Sequence, residues 1–277
     1  NRGMPLTAID LIKNKLLSRL ESVNPGKVDV YFGQWNRLLG HLGDDYSIQE
    51  RFFRQYYNAF KDELKVIHQV PLASRSNLIQ IYEKLINNDP EKFLKQISVA
   101  GHRYALILSR NSDDDLHSIG KPLKDLERIQ GAPSYLLMLF LLVRKDGLQL
   151  NNDHLSKIVS LLVRFFVRRN LTDTPPTRDL TRLFMTIIDK LNGLSGEDIF
   201  KMILGQLKAV SVSDSVFRHN LEGPIYEESS GVTRFILCIL AEQAMTKETW
   251  VDLWHFEKKR YVWTIEHIFP QGENIPQ

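Results

Sequence analysis

A carboxylate lies directly beside a histidine near the end of the chain, at Glu266 and His267 in the stretch TIEHIFPQ. A carboxylate can hold a hard divalent cation through oxygen, and an imidazole with a pKa near neutrality can take a proton from water. Together they could direct metal-assisted hydrolysis of a phosphodiester. Successive residues of a regular strand point to opposite faces, so both reach one site only if the strand ends or bends here. A solvated surface pair is the alternative interpretation, and two residues alone leave both open.

Basic side chains supply candidate contacts to DNA phosphates in two places. Lys258, Lys259 and Arg260 lie just before the Glu-His pair, and Arg168 and Arg169 lie in a predicted helix. Clustered Lys and Arg can neutralise phosphates and release counterions. The alternative for each group is a solvated surface paired with nearby carboxylates.

Composition bounds the remaining classes of function. The chain has 277 residues, 43% of them hydrophobic, and a formal net charge of +3. This length suits one large domain or two small ones, and so small a charge predicts no long-range field toward phosphate or an anionic membrane. The longest apolar run, Tyr135–Val143, is far shorter than the roughly 20 residues of a membrane-spanning helix and predicts a core helix. The single cysteine, Cys238, predicts a buried thiol in a reducing, cytoplasmic compartment.

The elements that must position these residues are mostly helices. Thr7, with an acidic residue three positions later, predicts the start of a helix that ends near Ser22. Asn77 and Asp89 are placed as N-caps, and Gly147 is placed to end the apolar core helix.

Three further stretches complete the predicted fold. A helix over 47–66 is dense in aromatic residues, and this pattern favours core packing over a base-stacking platform. The stretch SVSDSVFRHNLEGPIY, 211–226, predicts irregular or extended chain, whereas the β-rich VDLWHF and YVWTIEHIF, separated by the charged EKKR, predict a hairpin with a basic turn. The predicted fold class is therefore all-α: a body of about ten helices with a short β-hairpin at the C-terminus.

The longer sequences at the two ends of the chain both resemble one protein family. WTIEHIFPQGENIP looks like the opening of the HNH nuclease domain of GmrSD-type, modification-dependent restriction endonucleases, and NRGMPLTAIDLIKNKL resembles a helix-starting motif near the end of their ParB-like N-terminal domain. Between them, FVRRNLTDTPPTRDLTRLFMTII and TRFILCILAEQ resemble the joining helical region. The resemblance implies three parts: 1–22 as the end of the ParB-like domain, 23–247 as the helical domain and 248–277 as the beginning of an HNH domain.

The resemblance also implies roles for individual residues. His267 matches the general base that activates water, and Glu266 matches a neighbour that helps bind a divalent metal, expected to be Mg²⁺. Arg2 and Lys13 would border the nucleotide site of the N-terminal domain, where the family uses a nucleoside triphosphate. The implied partner is DNA carrying a modification, with a homo-oligomer possible and no membrane.

The chain departs from the family pattern at both ends. The later Leu-Gly-Asn-Leu-Thr-like segment and the asparagine or histidine of a closing helix are absent, as is the upstream Asp-Gly-Gln-Gln-Arg-like motif. We therefore expect the chain by itself to cleave no DNA and turn over no nucleotide, and to act as a helical coupling and DNA-facing region. The alternative is a non-catalytic helical interaction or regulatory module in which Glu266 and His267 are incidental.

Overall fold

The computed structural model describes residues 6–64, 72–110 and 118–265, and in these ranges the regular secondary structure is helical apart from one small hairpin. The α-helices are α1 Ala8–Val23, α2 Val28–Leu42, α3 Tyr46–Leu64, α4 Leu78–Asn88, α5 Pro90–Ile107, α6 Gly120–Arg128, α7 Tyr135–Val143, α8 Asn152–Thr172, α9 Thr177–Asp189, α10 Glu197–Val210, α11 Asp214–Leu221, α12 Ile225–Glu228 and α13 Ser230–Ala244. The two strands are β1 Phe256–Glu257 and β2 Arg260–Tyr261. The predicted all-α body with a short hairpin is confirmed.

The chain divides into two compact units. Among the described residues, unit 1 lies within 1–166 and 173–211, and unit 2 lies within 167–172 and 212–277. This division falls at 211/212, whereas the resemblance implied a boundary at 247/248. The three predicted family domains stay a prediction.

The core of unit 1 is built from the helices with the strongest apolar content. The aromatic residues predicted to be core in α3 are all buried: Phe52, Phe53, Tyr56, Tyr57 and Phe60. Helix α7 is buried over nearly its whole length, as predicted for the longest apolar run. The buried amide of Gln55 in α3 is bonded at both ends, since it donates to the Ala132 carbonyl at 2.8 Å and accepts from the Tyr104 hydroxyl at 2.7 Å.

Helix boundaries agree with the predicted caps in part. Thr7 and Asp10 form a reciprocal capping box, and Asp89 accepts from the Lys92 amide as an N-cap. Asn77 is not a side-chain cap, because its amide oxygen accepts from Ser74 N and its amide nitrogen donates to Leu72 O. The predicted stop at Gly147 is also wrong, because α7 already ends at Val143.

Unit 2 contains helix where the sequence predicted irregular chain. Residues 211–226 form α11 and the start of α12, and Ser213 caps α11 by accepting from Val216 N. A serine cap satisfies an amide that would otherwise lack a partner at the start of this eight-residue helix. Helix α13 follows and buries Cys238, as predicted. None of the helices in the described ranges is long and apolar enough to cross a bilayer.

Candidate functional site

The predicted catalytic pair is not part of the described structure. Glu266 and His267 lie outside the described residues, as does Arg2. The chain can be followed through the basic hairpin as far as Ile265, one residue before the pair. The described structure therefore contains the segment that leads to the pair, and the pair itself stays a prediction.

The approach is a β-hairpin with a two-residue turn. Phe256 pairs with Tyr261 and Glu257 with Arg260, and the turn is Lys258–Lys259. Both lysines have positive φ, 49° and 65°, as a type I′ turn requires. Such turns prefer Asn-Gly because a Cβ is disfavoured at positive φ, so the two lysines are an atypical choice for this backbone.

The turn presents a cluster of cations to solvent. Lys258, Lys259 and Arg260 are all exposed, and none forms an ion pair within the described part of the chain. A depression of about 320 Å³ lies beside the turn, and its lining residues are Glu257, Lys258, Arg260, Tyr261, Val262 and Thr264. The predicted hairpin with a basic turn is present, and its cations are available to an external anion.

One buried arginine holds both arms of this hairpin. The guanidinium of Arg234, on α13, donates to the carbonyl of Leu253 at 2.5 Å and to that of Trp263 at 2.8 Å. It also lies 3.7 Å from the centre of the Tyr261 ring and 5.7 Å from that of Trp254. Arg234 is 9% exposed, and it makes no ion pair among the described residues. Arg234 therefore fixes the chain before and after the hairpin. Its acceptor after the hairpin, Trp263, lies three residues before Glu266.

The aromatic side chains around the hairpin reinforce this arrangement. The Phe256 and Tyr261 rings meet edge to face with centroids 5.1 Å apart, as expected for a directly opposed cross-strand pair. The Trp254 indole nitrogen donates to Glu242 of α13 at 2.8 Å, and its ring packs against Phe235 at 6.0 Å. The base of the hairpin is thus tied to α13 through polar and aromatic contacts.

The other predicted DNA contacts are engaged within the protein. Arg168 donates to the Val212 carbonyl at 3.1 Å and to Asp214 at 2.6 Å, and its guanidinium lies 4.7 Å from the Phe217 ring centre. Arg169 is buried at 9% exposure and donates to Asn170 at 3.0 Å. Because these groups pack inside unit 2, the structure gives no support to their prediction as phosphate contacts.

Lys13, the described member of the predicted nucleotide-binding pair, packs against an aromatic ring. Its ammonium lies 4.6 Å from the centre of the Phe32 ring on α2. This is a cation–π contact between neighbouring helices, and it accounts for the position of Lys13 without a ligand. Its nucleotide-binding role stays a prediction.

Besides the role of Arg234, the sequence also gave no indication of a pair of carboxyl groups in unit 1. Asp62 at the end of α3 hydrogen bonds to Asp189 at the end of α9, beside a cavity of about 860 Å³. Burial, the hydrogen bond to Asp62 and the charge of Asp62 raise the pKa of Asp189. The residues lie far apart in sequence and their neighbours form no motif, so only the packing of the helices could reveal the pair.

The described residues contain no group of three or more histidine, cysteine, aspartate or glutamate side chains placed to hold a metal ion. Comparison of the chain with protein-family models, with curated proteins and with solved structures finds no match. The family resemblance therefore rests on the quoted motifs.

Proposed function

We propose that this chain is part of a GmrSD-like, metal-dependent DNA endonuclease that cleaves modified foreign DNA in the cytoplasm under the control of a nucleoside triphosphate. In this proposal the helical units couple the nucleotide-binding and nuclease ends, and the chain by itself is inactive. The end motifs carry the resemblance. The basic hairpin that leads into the C-terminal motif is the structural observation that supports the proposal.

The hairpin suits a phosphodiester substrate for an electrostatic reason. Lys258, Lys259 and Arg260, which form no ion pair with the described residues, could neutralise phosphates next to the scissile bond. Arg234 fixes the Trp263 carbonyl, so the segment that carries Glu266 and His267 starts from a defined position. A positioned general base needs this kind of support, because misplacement by about 1 Å can cost about 100-fold in rate.

The proposed chemistry assigns each residue a separate task. His267 would accept a proton from the attacking water, and Glu266 would provide a carboxylate oxygen to a divalent cation such as Mg²⁺. A bound divalent cation would supply stabilisation of the charge that develops on the leaving oxygen. Both roles rest on the match to the family motif.

The test uses the protein extended by its downstream sequence, incubated with plasmid DNA that carries the modification, Mg²⁺ and nucleoside triphosphate. We expect His267→Ala to lower the cleavage rate by about 100-fold or more, the usual contribution of a general base. The matched control is His255→Ala, because His255 is exposed and precedes β1 in the same segment. Undiminished cleavage by the His267→Ala protein would defeat the proposal.

The second candidate is a non-catalytic helical interaction module. Leu237 and Leu240 on α13 are 47% and 58% exposed, and exposed leucines one helical turn apart suit contact with a partner helix. Under this alternative the extended protein cleaves nothing. Replacing both leucines with Gln then abolishes recovery of a protein partner, while His267→Ala leaves that recovery unchanged.

A further inference from the structure

Exposed aromatic rings are concentrated around the hairpin. In the described ranges, the large aromatic side chains classed as exposed are Phe32, Tyr46, Tyr226, Trp250, Phe256, Tyr261 and Trp263. Four of these seven lie between residues 250 and 263, including both tryptophans. Rings that remain in water at this density mark a surface for a partner, because a folded domain otherwise buries them.

The same segment carries the three cations that form no ion pair with the described residues. Lys258 and Lys259 form the turn and Arg260 follows in β2, and Glu257 is the only carboxylate in the described lining of the adjacent depression. A partner for this surface must offer negative charges and flat apolar faces close together. A nucleic-acid strand offers both, as phosphates and as bases.

The exposure of the rings distinguishes an unpaired strand from a duplex. In a duplex the base faces are stacked on one another, so a protein reads phosphates and groove edges. In an unpaired strand the base faces are free to stack on aromatic side chains. Phe256 is 57% exposed, Trp263 48% and Trp250 65%, so these rings retain surface on which a base could stack.

We propose that this aromatic-basic hairpin, residues 250–264, binds single-stranded nucleic acid, with phosphates on the turn cations and bases stacked on the exposed rings. The inference rests on the proposed function, which makes the hairpin face DNA, and it adds the class of strand that is contacted. The two hydrogen bonds from Arg234 to Leu253 and Trp263, called here the Arg234 clamp, hold the base of the hairpin. The hairpin backbone therefore loses little conformational entropy when a strand binds.

The experiment measures fluorescence anisotropy of the 277-residue chain with three labelled probes of about 12 nucleotides, within the usual site size of single-strand binding modules. The probes are oligothymidylate, the same strand in a duplex, and an abasic strand of equal length. We expect oligothymidylate to bind most tightly, and Trp263→Ala or Phe256→Ala to weaken it about 5- to 150-fold. Phe32→Ala is the control, because Phe32 is an exposed ring in unit 1.

The turn cations have a separate readout. Changing Lys258 and Lys259 together to Ala should reduce the slope of log affinity against log salt concentration by about 1.4, which is about 0.7 for each lost contact to a single strand. The aromatic variants should leave that slope unchanged. Each variant is first compared with the parent by circular dichroism, and Trp250→Ala replaces any variant that loses helical signal.

Each alternative result has a definite meaning. Equal or tighter binding of the duplex, or of the abasic strand, overturns the inference while leaving the proposed endonuclease intact. Binding of no probe overturns the inference and also removes the support that the hairpin gives to a DNA-facing role. Stacking-dependent binding of oligothymidylate by a protein whose extended form shows no His267-dependent cleavage supports the inference and defeats the proposed function.

Discussion

Replacing Arg234 with Met should release the hairpin from α13. The Met side chain has similar length and apolar character, so it can fill the space of the arginine stem without donating a hydrogen bond. The carbonyls of Leu253 and Trp263 then lose their donors, and the Tyr261 ring loses the guanidinium that lies 3.7 Å from its centre. We expect the hairpin to open locally while unit 1 stays folded.

The expected magnitude follows from opposing contributions. Each hydrogen bond from a charged group contributes about 1.5–3 kcal/mol, and the cation–π contact adds about 1 kcal/mol. Desolvation of Arg234, which has no carboxylate within 4 Å in the described structure, costs several kcal/mol and is recovered in the variant. The balance is a loss of about 2–4 kcal/mol in the free energy of opening the hairpin.

Hydrogen exchange at the Val262 amide measures this directly, because that amide donates to the His255 carbonyl at 2.9 Å across the hairpin. A loss of about 2–4 kcal/mol corresponds to exchange about 30- to 700-fold faster. Arg218→Met is the matched control, since Arg218 is an exposed arginine of α11 in the same unit. Unchanged protection of Val262 in the Arg234→Met protein would refute the clamp.

Two further changes test the turn and the carboxyl pair. The double change Lys258→Asn, Lys259→Gly should slow exchange of the hairpin amides by relieving about 1–2 kcal/mol of strain, while weakening oligonucleotide binding in anisotropy titrations; tighter binding would contradict it. Because the pKa of Asp189 is raised above 3.8, its stabilising contribution is full below that pH and is lost as pH rises through the raised pKa. Asp189→Asn should therefore raise the Tm at pH 7 and lose this advantage near pH 4, whereas Asp179→Asn, on the same helix, should not; an equal Tm for parent and Asp189→Asn at pH 7 would contradict the repulsion from Asp62.

Local patterns predicted those parts of the fold whose causes are local. The aromatic stripe of α3, the apolar run of α7 and the Thr7 capping box are each specified within a few residues, and each is confirmed. The segment 211–226 was predicted wrongly because α11 and α12 are too short for apolar periodicity to identify them. Ser213, a good N-cap residue, was the available signal.

In the candidate site, too, the features with local causes were predicted and those with long-range causes were not. The charges between two β-rich runs predicted the basic turn, which the structure has. Nothing predicted the role of Arg234, because its two acceptors lie 19 and 29 residues further along the chain. A lone arginine in the apolar run GVTRFILCIL was the only sign, because a charge on the buried face of a helix needs partners.

The sequence destabilises the hairpin at its turn and stabilises it at its base. At the tip, two lysines occupy backbone positions that favour Asn and Gly, so the local sequence weakens the hairpin. At the base, Arg234 supplies long-range contacts that can offset this strain. Strain retained in this way favours a role for the tip side chains other than folding. Positive charge without an ion pair among the described residues is what distinguishes these two from the residues that the turn prefers. The same reasoning explains why the lysine double change should improve the stability of the hairpin and impair the proposed binding of nucleic acid.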